Sequence, residues 1–427
     1  MVQALNTFNL SSTVREPGID NYLGIWNGKK FLVDDYDGSK WSLANMYWRY
    51  GYSIARALAL IEKAIVAFSR IYSPQFLHNR APKNTHASKS GYPWVSVSEL
   101  VSSIKSESLA KQTLRDYLIH EHVSKQFAEE IGAAATRGNY AQDADQIHAF
   151  AGLVSMAASE TASIQGGNSK LFEHMLEQSG AVVRRGREGD VTGIMKVSAY
   201  QSAPRWWVGT RDGYGQEFDA VIIAAPWLES GITLLNTEAV VPAYEYQNMH
   251  VTVVVTDAAQ PDPVYFGYPD SYKDVPRTIL TTPTEHPTFL SLAYVQTMEN
   301  VVYGQAWKKL HVVKLFSHAR MERDELQRIF GHGKIVWTYE KEWAAFPKLT
   351  PTNTLGFFVV DEGMYNINAM ERLVSTMETS IVAAKNVAAL LLQRWLGTRM
   401  VLGYHCKWDE GTPLVATKWA GWGCLSS

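Results

Sequence analysis

The sequence of 427 residues predicts a mixed α/β protein with an α/β part and an α+β part. Two patterns support this class. Helical and strand-like runs alternate through residues 137–235 and again through 350–396. Between them, residues 236–349 carry runs of β-branched residues separated by turns that contain Pro or Gly. The length also exceeds what one simple core usually holds, so more than one structural unit is expected.

The first half contributes a hairpin and a set of helices. The stretch 23–33 has apolar runs on either side of Asn27–Gly28, a strong two-residue turn signal. Residues 52–72 are apolar on most faces, which is typical either of a buried core helix or of a helix that forms one wall of a site for an apolar ligand. Ser96 or Ser98 is a candidate cap for the next helix, and 106–136 is expected to be nearly unbroken helix.

After residue 137 the pattern changes to alternating helices and strands. Gly166 and Gly167 precede a helix that should stop at Gly180, followed by a short strand "AVVRR" at 181–185. Further strands are expected at 191–199, 206–210 and 220–226. A helix near 318–330 interrupts the β-rich region, and a long helix covers about 376–396. The boundaries of the predicted parts are 1–21, 22–136, 137–235, 236–349, 350–396 and the tail 397–427.

Composition excludes several classes of function. Hydrophobic residues make up 46% and charged residues 19%, and the formal net charge is −2 with no block of like charges. The densest basic run, "RRGRE" at 184–188, is typical of a solvated turn, so no nucleic-acid partner is expected. No apolar run reaches the ~18 residues of a membrane span, while contact with a membrane surface stays open. The opening "MVQALNTFNLSS" has no basic region followed by an apolar core, so no signal peptide is predicted.

Metal ligands and a disulfide framework are not indicated either. The two cysteines, Cys406 and Cys424, could form one disulfide in the tail but have no metal-binding spacing. The string "IHEH" at 119–122 lacks the i, i+4 pair of histidines found on a zinc-binding helix. No Ser-His-Asp, Cys-His or paired-carboxylate motif is evident, and no catalytic side chain is assigned.

Alone, a glycine pair before a helix is either an ordinary turn or a backbone site for an anion. The other sequence strings found with the glycine pair make it informative. The chain resembles the prenylcysteine oxidase (prenylcysteine lyase) family over most of residues 22–396. The strings that carry this resemblance are "WRYGYS" at 48–53, "RGNYAQDADQIHAFAGLVSM" at 137–156, "QGGNSKL" at 165–171, "DAVIIAAP" at 219–226 and "MERLVSTMETSIVAAKNVAALL" at 370–391.

The resemblance implies a two-domain flavoprotein fold of the amine-oxidase-like type that binds FAD. It also implies an activity: oxidative cleavage of the thioether of farnesyl- or geranylgeranyl-cysteine to cysteine, a prenyl aldehyde and hydrogen peroxide, with molecular oxygen as acceptor. Members travel the secretory route to acidic degradative compartments, but the compartment of this chain is not assigned. The substrate pocket should be long and apolar, formed by the helices of 43–72 and the β region after 236.

The resemblance also points to individual site residues. For the cofactor these are Gly166, Gly167, Val191 near adenine, Glu371, Thr376, Met377 and Glu378. For the lining of the site they are Arg137, Asn139, Tyr140 and Gln142. Each has a structural alternative: Gly167 in a turn, Met377 in the core, and Glu378 favoured at a helix start by the helix dipole alone.

One departure from the family pattern stands out. The family opens with a βαβ unit carrying G-x-G-x-x-G, which grips the pyrophosphate of the cofactor, and the sequence contains no such motif. Either the start of the chain is missing, which we favour, or this is a natural variant that binds flavin poorly. Two alternative functions follow: a flavin-dependent oxidoreductase of another isoprenoid or secondary metabolite, and a flavin-free protein that binds a lipid or a partner.

Overall fold

The computed structural model describes residues 14–15, 23–36, 39–77, 90–157, 163–197, 204–272, 274–303 and 306–397. Cys406 and Cys424 lie outside the described residues. The α-helices are α1 (Lys40–Tyr50), α2 (Ser53–Ser69), α3 (Pro74–Leu77), α4 (Val97–Ser103), α5 (Leu114–His120), α6 (Lys125–Phe127), α7 (Ala133–Tyr140), α8 (Ala149–Met156), α9 (Ser169–Ser179), α10 (Trp227–Ser230), α11 (Arg323–Phe330) and α12 (Met377–Leu396).

The strands form one large sheet and several smaller ones. They are β1 (Val14–Arg15), β2 (Leu23–Trp26), β3 (Phe31–Tyr36), β4 (Ser163–Ile164), β5 (Val191–Val197), β6 (Arg205–Thr210), β7 (Gly215–Phe218), β8 (Val221–Ile223), β9 (Thr233–Leu235), β10 (Tyr246–Thr256), β11 (Thr278–Thr281), β12 (Ser291–Tyr303), β13 (Ala306–Ser317), β14 (Ile335–Pro347), β15 (Val359–Asp361) and β16 (Met364–Asn366). The large sheet has the order β14-β10-β13-β12-β11-β2-β3. Its pairs are antiparallel except β2 with β11.

Two smaller sheets contain the parallel pairs expected of an α/β unit. Strand β8 pairs in parallel with β16, and β5 pairs in parallel with β9. Apolar side chains of both sheets share one core, in which Ile194, Trp206, Ile223 and Met364 are buried. The chain leaves β16 at Asn366, passes through a 3-10 segment, Ile367–Arg372, and enters α12. The carboxyl end of β16 is therefore connected to the start of α12 by the ten residues 367–376.

The helices α2, α4, α5, α7, α8 and α12 contribute to the largest core. Polar residues fix where these helices begin, because a capping side chain accepts a hydrogen bond from a backbone N–H that has no partner within the helix. Ser96, Thr113 and Ser124 each cap a helix in this way. Helix α12 is tied into the same core by Asn386, whose side-chain amide pairs with both the N–H and the C=O of Trp94 at 3.0 and 2.8 Å.

Several predictions from sequence are confirmed. Strands β2 and β3 form the hairpin around Asn27 and Gly28, where Gly28 has a φ of +103° that favours glycine. Residues 53–72 are helical, ending in a 3-10 turn from Arg70 to Tyr72. Gly180 ends α9 in the left-handed conformation, as expected. In the described part of the chain, no helix has both the length and the apolar character needed to cross a membrane.

The prediction of nearly unbroken helix over 106–136 is wrong. The segment is divided into a 3-10 turn, α5, α6, a π-helical turn from Ala128 to Gly132, and α7. Thr113 and Ser124 start new helices with their capping hydroxyls, and His122 has a φ of +62° that turns the chain between α5 and α6. Short helices with their own caps produce the same apolar spacing as one long helix.

The predicted strand at 181–185 is also wrong. These residues lie outside the regular strands, and Val182 is 88% exposed. A valine-rich run becomes a strand only when another strand offers hydrogen-bond partners. The strand predicted at 220–226 is likewise reduced to β8 at Val221–Ile223.

Candidate functional site

The start of α12 is fixed by a reciprocal pair of threonines. The Thr376 hydroxyl accepts from the backbone N–H of Thr379 at 3.1 Å, and the Thr379 hydroxyl accepts from the N–H of Thr376 at 3.2 Å. This capping box leaves the first turn of a 20-residue helix well defined. The aligned peptide dipoles give this end partial positive charge, which favours an anion or an electron-rich carbonyl.

Buried side chains from distant elements hold the segment that leads into α12. The Tyr140 hydroxyl at the end of α7 donates to the carbonyl of Ser375 at 3.4 Å. His148 accepts from the N–H of Ala151 through Nδ1, so its Nε2 carries the proton and donates to the carbonyl of Arg372 at 3.3 Å. Burial is the main cause that lowers the pKa of His148 to about 4. His148 is therefore neutral near pH 7 and is a structural cap.

Two tyrosines hold carboxylates on either side of the α12 start. Tyr72 donates to Glu378 at 2.8 Å, and Tyr246 donates to Glu371 at 2.6 Å. Burial raises the pKa of both phenols, and the neighbouring carboxylates raise them further. Both tyrosines therefore stay protonated donors across the physiological range. Each fixes the orientation of an acidic side chain near the helix end.

An apolar cavity of about 230 Å³ opens beside this helix end. Its long wall is α2, its opposite wall is α8, and the start of α12 closes one end. The lining residues are Ile61, Ala64, Ile65, Phe68, Ser69, Tyr72, Phe150, Leu153, Val154, Ala157, Val374, Thr376, Glu378 and Thr379. The cavity surface is almost entirely apolar, and Tyr72, Thr376, Glu378 and Thr379 lie at its α12 end. The β region after 236 contributes no strand residue to the lining of this cavity, so its predicted part in the substrate pocket stays a prediction.

The string that begins at Arg137 connects the helices to the large sheet. Arg137 is buried, forms an ion pair with Asp143 at 2.7 Å and donates to the hydroxyl of Thr281 on β11 at 3.2 Å. Asn139 donates to the carbonyl and the hydroxyl of Ser155 on α8, both at 3.1 Å. These two residues fix α7 against the sheet on one side and against α8 on the other.

Gln142 completes this connection through backbone groups. Its amide nitrogen donates to the carbonyls of Tyr140 and Pro347, and its oxygen accepts from the N–H of Leu349 at 2.7 Å. Much of the hydrogen-bonding capacity of Asn139 and Gln142 is used inside the protein. Arg137, Asn139, Tyr140 and Gln142 are not among the residues that line this cavity, and their predicted place in the site stays a prediction. Their hydrogen bonds position α7, and Tyr140 is linked directly to the segment before α12.

The remaining predicted cofactor residues lie on the smaller sheets and on α9. Gly166 and Gly167 have φ values of +85° and +108° and form the turn between β4 and α9. A Cβ on Gly166 would lie 2.5 Å from the Lys170 ammonium nitrogen, at the flexible end of that side chain. Val191 begins β5 and packs against the core shared with β8 and β16. Thr376 and Glu378 line the cavity, and Met377 is partly exposed.

The side chain of Asn366 bears on whether these residues fit a dinucleotide cofactor. Asn366 ends β16 and is 3% exposed, and its Oδ1 is a buried acceptor without a hydrogen-bond partner within the described residues. In α/β sheets, cofactors bind beyond the carboxyl ends of parallel strands, which is the position of Asn366. With the start of α12 adjacent in the chain, these residues fit the end of a flavin site that holds the ring system.

The fold defines the class of protein. Solved structures with similar folds include a putrescine oxidase bound to putrescine, at a TM-score of 0.51 and 12% identity over 91% of this chain and 85% of that one. A second is described as a protoporphyrinogen oxidase from Exiguobacterium sp. 255-15, at a TM-score of 0.55 and 11% identity over 92% of this chain and 84% of that one. At these identities the likeness concerns the fold, which is the α/β flavoprotein fold of amine-oxidase-like enzymes.

Sequence comparison defines the family. The profile of the family described as prenylcysteine lyase matches residues 33–401, and the chain belongs to this family. Relatives include prenylcysteine oxidase 1-like from Bos taurus, 27% identical over 87% of this chain and 74% of that protein. Prenylcysteine oxidase 1 from Homo sapiens is 25% identical over 88% and 73%, and farnesylcysteine lyase from Arabidopsis thaliana is 25% identical over 91% and 74%. The family's enzymes are FAD-dependent oxidoreductases that act on a thioether.

Sequence reasoning missed Tyr72, His148, Tyr246 and Asn366. Tyr72 and Glu378 are separated by 306 positions and Tyr246 and Glu371 by 125, so no local pattern connects them. His148 lies directly before α8, inside the family string at 137–156. Its position before an apolar helix is the local pattern that could have indicated a capping role.

Proposed function

We propose that this chain binds a prenylated cysteine with its prenyl chain in the cavity between α2 and α8 and its amino-acid end at the start of α12. The observation that carries the proposal is the almost entirely apolar surface of the cavity, with the Glu378 carboxylate among the residues at its α12 end. A prenylcysteine joins a hydrocarbon chain through sulfur to a charged amino acid, so its chain suits the apolar walls and its ammonium group suits the carboxylate. Aromatic and aliphatic walls bury the chain, and apolar burial is worth about 25 cal/mol per Å².

Glu378 supplies the charge that recognises the amino-acid end. Its carboxylate is oriented by the Tyr72 hydroxyl and lines the cavity. An ammonium group beside an oriented carboxylate forms a charge-assisted hydrogen bond, which is stronger than a neutral one. Glu378 therefore binds the α-ammonium of the substrate and sets which end of the molecule faces α12.

The cofactor residues have a separate part. The start of α12, Glu371 and Asn366 would hold the ring system of FAD, with Val191 and the Gly166–Gly167 turn toward its nucleotide end. When bound, FAD supplies the electron acceptor for oxidation of the carbon next to sulfur. The chain's own residues orient the thioether, exclude water from the prenyl chain and present backbone N–H groups at the helix end. No side chain is assigned as a base.

A pair of substrates tests the role of Glu378. Turnover of farnesylcysteine and N-acetylfarnesylcysteine is measured by peroxide release with FAD added, for the wild type and for Glu378→Gln. The acetyl group removes the ammonium charge. We expect the variant to raise KM for farnesylcysteine roughly tenfold, since a charged hydrogen bond contributes about 1.5–3 kcal/mol. KM for the acetylated substrate should change little. Equal changes for both substrates would refute the proposed orientation.

A second variant pair tests the cavity itself. Ala64→Phe on α2 fills the cavity, and the matched control Ala384→Phe adds the same ring on an exposed face of α12. The filled cavity should raise KM for farnesylcysteine and raise it more for geranylgeranylcysteine, while the control leaves both unchanged. Failure of the wild type to release peroxide from either substrate, with FAD bound, would overturn the proposed function.

A further inference from the structure

Helices α1 and α2 present large aromatic and aliphatic side chains to solvent. We call the side chains of Trp41, Trp48 and Tyr52 the aromatic face. Trp48 is 93% exposed, Tyr52 83% and Trp41 75%. Single exposed apolar residues are ordinary, but several large aromatic side chains so fully exposed in one short segment mark an interaction site. Trp41 and Trp48 are seven residues apart on α1 and therefore project from the same side of the helix.

Helix α2, which follows α1 directly after Gly51 and Tyr52, also carries exposed apolar side chains. Its buried side carries Ala57, Leu60 and Ile61. A second apolar stripe at helical spacing faces outward, and we call its members, Ala55, Leu58, Ala59, Ile65 and Val66, the outer stripe. Glu62 is the acidic residue within this spacing. A helix that packs only against its own core needs one apolar stripe, so the outer stripe requires another explanation.

The charge of this segment identifies the kind of partner. Residues 40–72 contain five basic side chains against the single acidic Glu62, in a chain whose net charge is −2. Arg56 and Lys63 on α2 and Arg70 directly after it follow one another at intervals of seven, which places Arg56 and Lys63 along one side of the helix and Arg70 at its end. Arg49 is neutralised by Glu130 at 2.8 Å and is not part of this basic side. The remaining basic residues flank the apolar surface and complement anionic headgroups.

The residue types favour lipid over protein as the partner. Trp and Tyr combine an apolar body with a polar tip, which suits the depth between headgroups and hydrocarbon. Helices that lie in a membrane surface combine an apolar face containing Trp or Phe and Leu with basic residues on the polar side. The aromatic face, the outer stripe and the basic side of α2 show this combination.

The surface is continuous with the cavity. Ile65 is 50% exposed in the outer stripe and also lines the cavity. Ile61, Ala64 and Phe68, within one turn of it, form the cavity wall. An apolar chain can therefore pass from the outer stripe into the cavity along α2 without crossing a polar barrier on that helix.

We propose that the aromatic face and the outer stripe dock α1 and α2 onto the surface of an anionic lipid bilayer. The helices lie at headgroup depth, and the cavity opens toward the bilayer. Entry of a prenylated substrate directly from the membrane rests on the proposed function, whereas the docking itself does not. A prenyl chain partitions into bilayers at about 0.8 kcal/mol per buried CH₂, so the membrane is where such a substrate accumulates.

Vesicle sedimentation tests the docking. The full chain is spun with vesicles of phosphatidylcholine alone or of phosphatidylcholine with phosphatidylserine. The test variant is Trp41→Ser/Trp48→Ser, and the matched control is Trp337→Ser/Trp343→Ser, which removes two exposed tryptophans from β14. We expect the wild type and the control to sediment with the serine-containing vesicles, and the test variant to bind at least roughly a hundredfold more weakly, because two large aromatic side chains no longer leave water on binding.

Two further measurements distinguish docking on lipid from misfolding of the variant and from self-association of the chain. Salt should weaken binding to the anionic vesicles, because exposed charges are screened beyond a Debye length. Thermal unfolding of the test variant should match that of the wild type, and its turnover of monomeric farnesylcysteine in solution should be unchanged. Unchanged sedimentation of the test variant, or a wild type that stays in the supernatant, would overturn the proposal. Concentration-dependent self-association that the test variant abolishes, without vesicle binding, would assign the surface to a second copy of the chain.

Discussion

The two regions predicted to meet the cofactor differ in how they are held. The start of α12 is fixed by hydrogen bonds from Tyr72, Tyr140 and His148, three side chains on separate elements. The region after Gly166–Gly167 has few buried apolar side chains, with Leu171 as the buried residue of α9 and Val182 mostly exposed. Stability is not uniform across a structure, and this difference predicts where it is concentrated. The α12 region should respond strongly to substitution and the α9 region weakly.

The largest effect is expected at Asn386. Replacing it by Leu removes the partners of the N–H and C=O of Trp94, and both groups stay buried. An unsatisfied buried polar group costs about 1–3 kcal/mol, so two should lower the free energy of unfolding by about 4 kcal/mol. Denaturant unfolding measures the change, and Ala388→Leu on an exposed position of the same helix is the control. A loss at Asn386 no larger than that of the control would contradict the account.

The next effect depends on pH. Burial lowers the pKa of His148 from 6.5 in the unfolded chain to about 4 in the folded protein. Between these values the unfolded state binds more protons, so the free energy of unfolding falls as the pH is lowered from 6.5 toward 4. At 1.36 kcal/mol per pKa unit the total loss is about 3 kcal/mol.

His148→Asn keeps a capping oxygen and removes the titrating ring, so this variant should reduce the slope of unfolding free energy against pH. A smaller slope of unfolding free energy against pH should remain in this variant, because burial also lowers the pKa values of His311 and His318. His120→Asn, at an exposed position, is the control and should preserve the full slope. An unchanged slope in His148→Asn would show that this ring is not protected from protonation.

A smaller effect is expected at the helix cap. Thr376→Ala removes the acceptor for the N–H of Thr379 and should lower the free energy of unfolding by about 1 kcal/mol. Thr376→Ser retains the hydroxyl and should stay close to the wild type. Hydrogen exchange of the first turn of α12 measures the local effect. Equal protection in the Ala and Ser variants would indicate that the cap does not fix this end.

The smallest effect is expected in the other region. Val182→Ser should change the free energy of unfolding by no more than about 0.5 kcal/mol, because exposed positions away from special contacts rarely matter more. Ile194→Ser, in the buried core of the neighbouring sheet, is the contrasting variant and should be strongly destabilising. If Val182→Ser lowered the free energy of unfolding by more than about 1 kcal/mol, the side chain of Val182 would be covered in solution. The α9 region would then not differ from the α12 region in its response to substitution.

Much of the fold was readable from the sequence because its signals are local. The Asn27–Gly28 turn, the cap at Ser96, the stop at Gly180 and the helix after Thr376 all depend on residues within one turn of each other. The errors at 106–136 and 181–185 have one cause. In both segments the spacing of apolar residues suggested one regular element. It did not show which backbone or side-chain groups would supply the hydrogen bonds.

The candidate site was readable only in part. The helix start at Thr376 was predicted because it is a local feature, and Thr376 and Glu378 line the cavity there, while their predicted contact with the cofactor stays a prediction. The roles of Arg137, Asn139 and Gln142 depend on partners in Thr281, Ser155 and Pro347. A family string identifies such residues as important but does not distinguish a residue that contacts the ligand from one that positions the wall.

Photolabelling tests the central claim most directly. A farnesylcysteine analogue with a photoreactive group at the end of its prenyl chain is irradiated with the wild type and with Ala64→Phe, and the labelled peptides are identified by mass spectrometry. The account predicts label in the peptides of α2 and α8, around Phe68 and Phe150, with strong reduction in the variant. Label confined to the strands of the large sheet, and insensitive to Ala64→Phe, would contradict it.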